Sequence, residues 1–193
     1  GETASDVLRS HIVNMAGLVK LMLGKVTAVE DALLDRAITE TYASREIVAG
    51  EDFTGAKAPL LEDLETVLRN LEGGKGIAER LYKYTKGSFS GFVNQPTNIN
   101  VNNRLIVFSI RDLEEELRPI AMYIILNFIW NLTRAQLKKR LLIIDEAWWM
   151  MKYEDSAIFL FGLVKRALKY YLGVSTITQD VEDFLRSPYG RPI

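Results

Sequence analysis

Two short runs in the second half of the chain, 141–144 (Leu-Leu-Ile-Ile) and 174–178 (Val-Ser-Thr-Ile-Thr), constrain its fold most. Neither shows the clean polar-apolar alternation of a half-exposed strand, so both read as strands covered on two faces, as in a parallel sheet. Between them, about 155–171 has helical spacing and stops at Gly173. Upstream, 105–110 (Leu-Ile-Val-Phe-Ser-Ile) is a further β-rich apolar run. A helix is expected over about 113–133, with Glu114, Glu115 and Glu116 in its first turn, where the helix dipole favours them. The order strand, helix, strand, helix, strand predicts an α/β arrangement with a parallel sheet. One or two helical turns are expected over 180–185.

The first half lacks this pattern and reads as helical throughout. Val7, Leu8, Ile12, Met15, Leu18, Val19 and Met22 recur at helical spacing, and Gly24 follows as a stop. Thr27, with Glu30 three residues on, forms a capping box for a second helix to about Val48. Pro59 opens a third, striped by Leu60, Leu61, Leu64, Val67, Leu68 and Leu71, and Gly73-Gly74 ends it. A short helix from Ile77 to about Thr85 completes the block. Residues 87–103, rich in Gly, Ser, Asn, Gln and Pro, are loop chemistry. The boundary falls near residue 88: an all-α subdomain over 1–87, then an α/β domain over 88–193.

Bulk properties exclude several classes. A chain of 193 residues, 48% of them hydrophobic, builds a core of ordinary size. A net charge of −1 excludes an overall basic coat, so any contact with DNA must come from a local patch. Without cysteine there is no disulfide and no thiolate metal site, and with His11 as the single histidine a histidine-based zinc site has no ligands. No basic region followed by an apolar run marks a secretory signal. The most apolar stretch, 119–130, is shorter than the roughly 20 residues a bilayer needs and reads as a buried helix.

The chemistry-bearing motif is Leu141-Leu-Ile-Ile-Asp-Glu-Ala-Trp148, an apolar strand that ends in two carboxylates. In open α/β sheets ligands bind at the carboxyl ends of strands. Asp145 there would hold Mg²⁺ through water, and Glu146 would accept a proton from the water attacking a γ-phosphate. The alternative is a plain strand followed by a helix whose N-cap is Asp145. Gln179 stands at the end of the next strand, one βαβ unit on, where its amide would sense the γ-phosphate or position water; alone it would be a surface glutamine opening a turn. Lys165-Arg166-Ala-Leu-Lys169 lies on the intervening helix, either as a cationic patch for phosphates of a neighbouring subunit or of DNA, or as a solvated face. Trp148 and Trp149 would stack on a base or pack against core or partner.

The segments 141–148 and 165–185, the latter reading Lys-Arg-Ala-Leu-Lys-Tyr-Tyr-Leu-Gly-Val-Ser-Thr-Ile-Thr-Gln-Asp-Val-Glu-Asp-Phe-Leu, resemble the VirB-four class of type IV secretion and conjugation ATPases. These are RecA-like P-loop motors, and the resemblance extends over essentially the whole chain, its helical block looking like the all-α domain inserted in the motor. It implies that Asp145 and Glu146 are the Walker B pair, that Gln179 is the sensor glutamine, and that Arg166 and Lys169 belong to a basic motif implicated in contacts between subunits. It implies ATP and Mg²⁺ in the full-length protein. It further implies a homo-oligomer, a hexamer, at the inner face of the bacterial cell membrane, with secretion-channel subunits and a coupling protein as partners. The departure is that no Gly-x-x-x-x-Gly-Lys-Ser/Thr occurs; Gly73-Gly-Lys-Gly76 lacks its spacing, its Ser/Thr and a preceding strand. The family's phosphate loop lies upstream of the helical block, so the chain is expected to be an excised piece, inactive without it. Two other readings remain: a non-catalytic docking module whose α/β part is scaffold, and a soluble DNA translocase of the same superfamily.

Overall fold

The computed structural model describes residues 3–99, 101, 103–179 and 181–193. They form two compact units, 1–106 and 107–193. Residues 88–106, whose composition placed them with the α/β domain, fall with the helical unit.

In the first unit α1 (Ala4–Leu23), α2 (Ala28–Ala43), α3 (Leu61–Asn70), α4 (Lys75–Thr85) and the single turn α5 (Ser90–Val93) pack around Val19, Leu34, Ile38, Leu64, Leu68, Ile77 and Leu81. The capping box at Thr27 forms as its sequence requires: the Glu30 amide donates to the Thr27 hydroxyl at 3.2 Å, and the Thr27 amide to the Glu30 carboxylate at 2.8 Å. The second helix ends at Ala43, earlier than its pattern extends.

One carboxylate organises this unit. The Glu65 side chain is fully buried, yet it gathers three donors. The Arg69 Nε donates to it at 2.8 Å, the Thr85 hydroxyl donates a short bond, and the Lys86 ammonium lies 3.6 Å away. Asn94 extends the tie, donating to the Thr85 carbonyl at 3.1 Å while its own carbonyl accepts the Glu62 amide at 3.0 Å. α3, α4 and the turn after α5 are thus joined through polar groups where apolar contact alone would not fix their register.

The second unit holds α6 (Leu117–Ala135), β1 (Arg140–Ile144), α7 (Trp148–Met151), α8 (Glu154–Ala167), a 3-10 turn (Leu168–Tyr170), β2 (Leu172–Thr176) and α9 (Val181–Arg186). β1 and β2 pair in parallel, from Arg140 opposite Leu172 to Ile144 opposite Thr176, as expected. α8 packs on β2, and α6 packs on α7 and α8. Ile120, Leu126, Trp130, Met150, Leu160 and Leu163 are buried there, and Tyr123 meets Phe159 with ring centroids 4.7 Å apart. Among the described residues no helix is long and apolar enough to cross a membrane.

Three expectations are corrected. Residues 105–110 are not a strand: among the described residues the sheet has two strands only. Leu105 and Val107 are 81% and 78% exposed, and an apolar run without a neighbouring edge has no ladder to join. Second, β1 is not covered on both faces, since Leu141 and Ile143 are 69% and 59% exposed. Third, α6 begins at Leu117 rather than near 113, leaving Glu114, Glu115 and Glu116 outside it. A helix started at 113 would carry Pro119 in its interior, where the ring collides with the carbonyl four residues back; starting at Leu117 puts Pro119 in the first turn. The last predicted helix was to open at Asp180, which lies outside the described residues.

Burial raises the Glu65 carboxyl, but the bonds from Thr85 and Arg69 and the charges of Lys86 and Arg69 outweigh it, holding the group below its ordinary 4.5. A carboxyl lowered on folding stabilises above its unfolded value and loses that contribution as pH falls through the folded one. The Glu65→Gln variant should therefore be less stable than the parent at pH 6. The gap in unfolding free energy, measured by urea titration, should narrow as pH is lowered from about 4.5 towards 3.

Candidate active site

The site is built where β1 and β2 end side by side. The ladder does not stop at the last paired residues. The Ile177 amide donates to the Ile144 carbonyl at 2.8 Å, and the Ala147 amide donates to the Ile177 carbonyl at 3.0 Å. Ile177, just past β2, thus bonds to positions three apart at the end of β1, where a regular parallel ladder spans two, and Asp145 and Glu146 between them are looped out. Glu146 takes up the difference with φ of 53°, the left-handed region that costs an L-residue about 1 kcal/mol. Its amide is bonded to the Asp145 carboxylate at 2.9 Å, which closes the turn.

This backbone aims the Glu146 side chain. One carboxylate oxygen, Oε1, accepts from the Gln179 amide nitrogen at 2.9 Å. The other, Oε2, accepts from the Trp148 indole nitrogen at 2.5 Å. A hydrogen bond to a charged group contributes about 1.5–3 kcal/mol, so either bond offsets the cost of the left-handed turn. Asp145 is exposed beside them, with one oxygen engaged by the Glu146 amide. Among the described residues no group of three or more His, Cys, Asp and Glu side chains could hold a metal. A lone exposed carboxylate does suit Mg²⁺, which keeps several waters and takes its other oxygens from a phosphate substrate.

The two residues at the first strand end and the glutamine at the second are brought together. Arg166 and Lys169 are not part of that cluster. Arg166, at the end of α8, folds back on its own helix: its Nε donates to the Gly162 carbonyl at 2.8 Å, and its guanidinium lies 5.1 Å from the centre of the Trp130 ring. Lys169 is exposed in the 3-10 turn, beyond the end of α8, so the two cations do not continue one α-helical face. Trp148 is neither a free stacking platform nor simple core. It stacks on Trp149 with centroids 4.3 Å apart, and Lys152 lies over both rings, at 5.7 and 4.5 Å from their centres. Its link to Glu146 could not be read from sequence, because residues two apart do not face each other in a regular helix. The signal for it is the left-handed turn, which appears only in three dimensions.

A parallel strand pair carries an acidic turn at one tip and a polar amide at the other, at the carboxyl ends of the strands where open α/β sheets bind ligands. The chain belongs to the TraG P-loop domain family, whose sequence model matches residues 77–191. Among solved structures it is similar to VirB4 of Thermoanaerobacter pseudethanolicus, with 26% identity and a TM-score of 0.85 over 96% of this chain. It spans about half of that protein, 53% of its chain. No match was found among curated proteins. The resemblance to the VirB-four class, read from 141–148 and 165–185, is thereby borne out.

The packing of Arg166 on Trp130 carries its own test. Arg166→Ala should lower the stability of the chain by about 0.5–1 kcal/mol, the range for an exposed cation over an aromatic ring. Urea unfolding followed by circular dichroism checks this, and an unchanged midpoint would show that the guanidinium leaves the ring in solution.

Proposed function

We propose that this chain supplies the hydrolytic half of a RecA-like ATPase that energises type IV secretion or conjugative transfer. The observation that carries the reading is the Glu146–Gln179 hydrogen bond, which joins the tips of two adjacent parallel strands through a proton acceptor and an amide. In this reading Mg²⁺ bound with ATP offsets the charge of the phosphates and orients the γ-phosphate. Asp145 would hold that ion through a water. Glu146 takes the proton from the attacking water as its oxygen bonds to the γ-phosphorus and the bond to the bridging oxygen of ADP breaks. Gln179 holds the acceptor and would sense the γ-phosphate or position the water. The phosphate loop that cradles the triphosphate is absent from these 193 residues, so the chain alone is expected to bind Mg-ATP weakly or not at all.

The assembly is proposed as a homo-oligomer, a hexamer, at the cytoplasmic face of the bacterial cell membrane, in contact with channel subunits and a coupling protein. Arg166 and Lys169, both exposed, would offer positive charge to the nucleotide of a neighbouring subunit or to the phosphates of DNA. Similarity of fold supports the motor reading over a passive docking module, and so does a carboxylate held in a strained turn, which a scaffold does not need.

In the full-length protein, Glu146→Gln keeps shape but loses the proton acceptor; ATP binding should persist while turnover drops at least about 10²-fold. Asp145→Asn should also weaken Mg²⁺-dependent nucleotide binding, read by calorimetry with and without the metal. Near-normal hydrolysis by Glu146→Gln would favour the docking module. For the contact between subunits, Arg166→Ala protein is mixed with Glu146→Gln protein, which still carries the arginine. Recovered turnover supports a contact across the subunit boundary, and none removes it.

A further inference from the structure

Glu146 is held from two sides, and only one of its holders stands at a strand tip. The other is Trp148, two residues along the chain. On a helix, side chains at that spacing point apart, so the contact needs its own explanation. The left-handed φ of Glu146 supplies it: the turn sends the carboxylate back over the first turn of α7, onto the indole nitrogen at 2.5 Å. Trp148 is not free to swing away. Its ring is stacked at 4.3 Å and 27° on Trp149, which is buried. Arg118 of α6 lies 5.7 Å from the Trp149 ring centre on the same unit. The Lys152 ammonium, over both rings, is itself 3.4 Å from the Glu115 carboxylate. An indole can donate and cannot accept, and it presents a single N–H along one fixed direction. Both donors to Glu146 are neutral groups, and each carboxylate oxygen keeps a second lone pair for a water.

From this geometry we propose that Trp148 is a positioning residue for Glu146: its stack on the buried Trp149 anchors one carboxylate oxygen so that the other, steadied by Gln179, is presented to the attacking water. The inference rests on the reading of Glu146 as the proton acceptor. A group that must take a proton in a narrow geometry loses about a hundredfold in rate when displaced by an ångström, whereas nucleotide binding, which does not require that proton transfer, is spared.

The test uses Trp148→Phe in the full-length protein, which removes the N–H and keeps an aromatic ring to stack on Trp149. Turnover should fall about ten- to a hundredfold, with KM for Mg-ATP within about twofold of the parent. Glu146→Gln is assayed alongside. If Glu146→Gln abolishes turnover and Trp148→Phe leaves kcat unchanged, Trp148 does not position the glutamate and this inference fails alone. If Glu146→Gln is itself active, the proton-acceptor reading falls and this one with it. A second measurement does not depend on a tryptophan variant folding. In the 193-residue chain labelled with nitrogen-15, the Trp148 indole N–H resonance should move on Glu146→Ala while that of Trp130 stays in place. A Trp148 resonance that does not respond would overturn the contact.

Discussion

The pair of hydrogen bonds made by the Ile177 backbone is the constraint on which the site depends. Its amide and carbonyl engage Ile144 and Ala147, residues three apart, and the chain between them has to bulge. In a regular parallel ladder those two bonds would go to residues two apart, 144 and 146; β1 would then have run straight on, with Glu146 in ordinary extended geometry. The bulge instead puts Asp145 and Glu146 outside the ladder, at the end of the sheet where substrates approach. The left-handed φ, the return of the carboxylate onto Trp148 and the meeting with Gln179 all follow from that one grip.

The strain is local and its supports are near at hand. The left-handed residue is neither glycine nor asparagine, the types that adopt this conformation most readily. It is kept there by bonds from three sides: Asp145 on its amide, and Gln179 and Trp148 on its carboxylate. Backbone strain held by surrounding contacts is common where a side chain must be aimed rather than merely accommodated. The helical unit shows the contrasting use of a carboxylate. Glu65 is buried among Arg69, Thr85 and Lys86 and joins helices, with its bonding capacity turned inward. Glu146 has two donors, Gln179 and Trp148, and stands at a strand tip rather than inside a helical core, the setting on which its proposed role as proton acceptor rests.

Much of this was legible in the sequence. Helical spacing gave α1 to α4, the Thr27–Glu30 pair gave the start of α2, and the two apolar runs gave β1 and β2 as parallel neighbours, because each of these features is decided by residues close in the chain. The acidic pair, the glutamine and the family resemblance were legible for the same reason. What failed were inferences that needed a partner: 105–110 has strand composition but no adjoining edge, and the apolar Leu141 and Ile143 imply a second cover that the described residues do not provide. Composition states what a segment can do, and the neighbouring elements decide whether it does.

The sequence by itself determined which groups are available at the site, since Asp145, Glu146 and Gln179 owe their places at strand tips to local pattern alone. The tertiary structure decided how they are used. Parallel pairing brought Gln179 to Glu146 across a sequence separation of 33, and the grip of Ile177 turned Glu146 onto Trp148. The tertiary structure also laid the Arg166 guanidinium over Trp130, on its own side of α8. The physical reason is that hydrogen-bond direction depends on backbone dihedrals set by distant contacts, and no local periodicity encodes them.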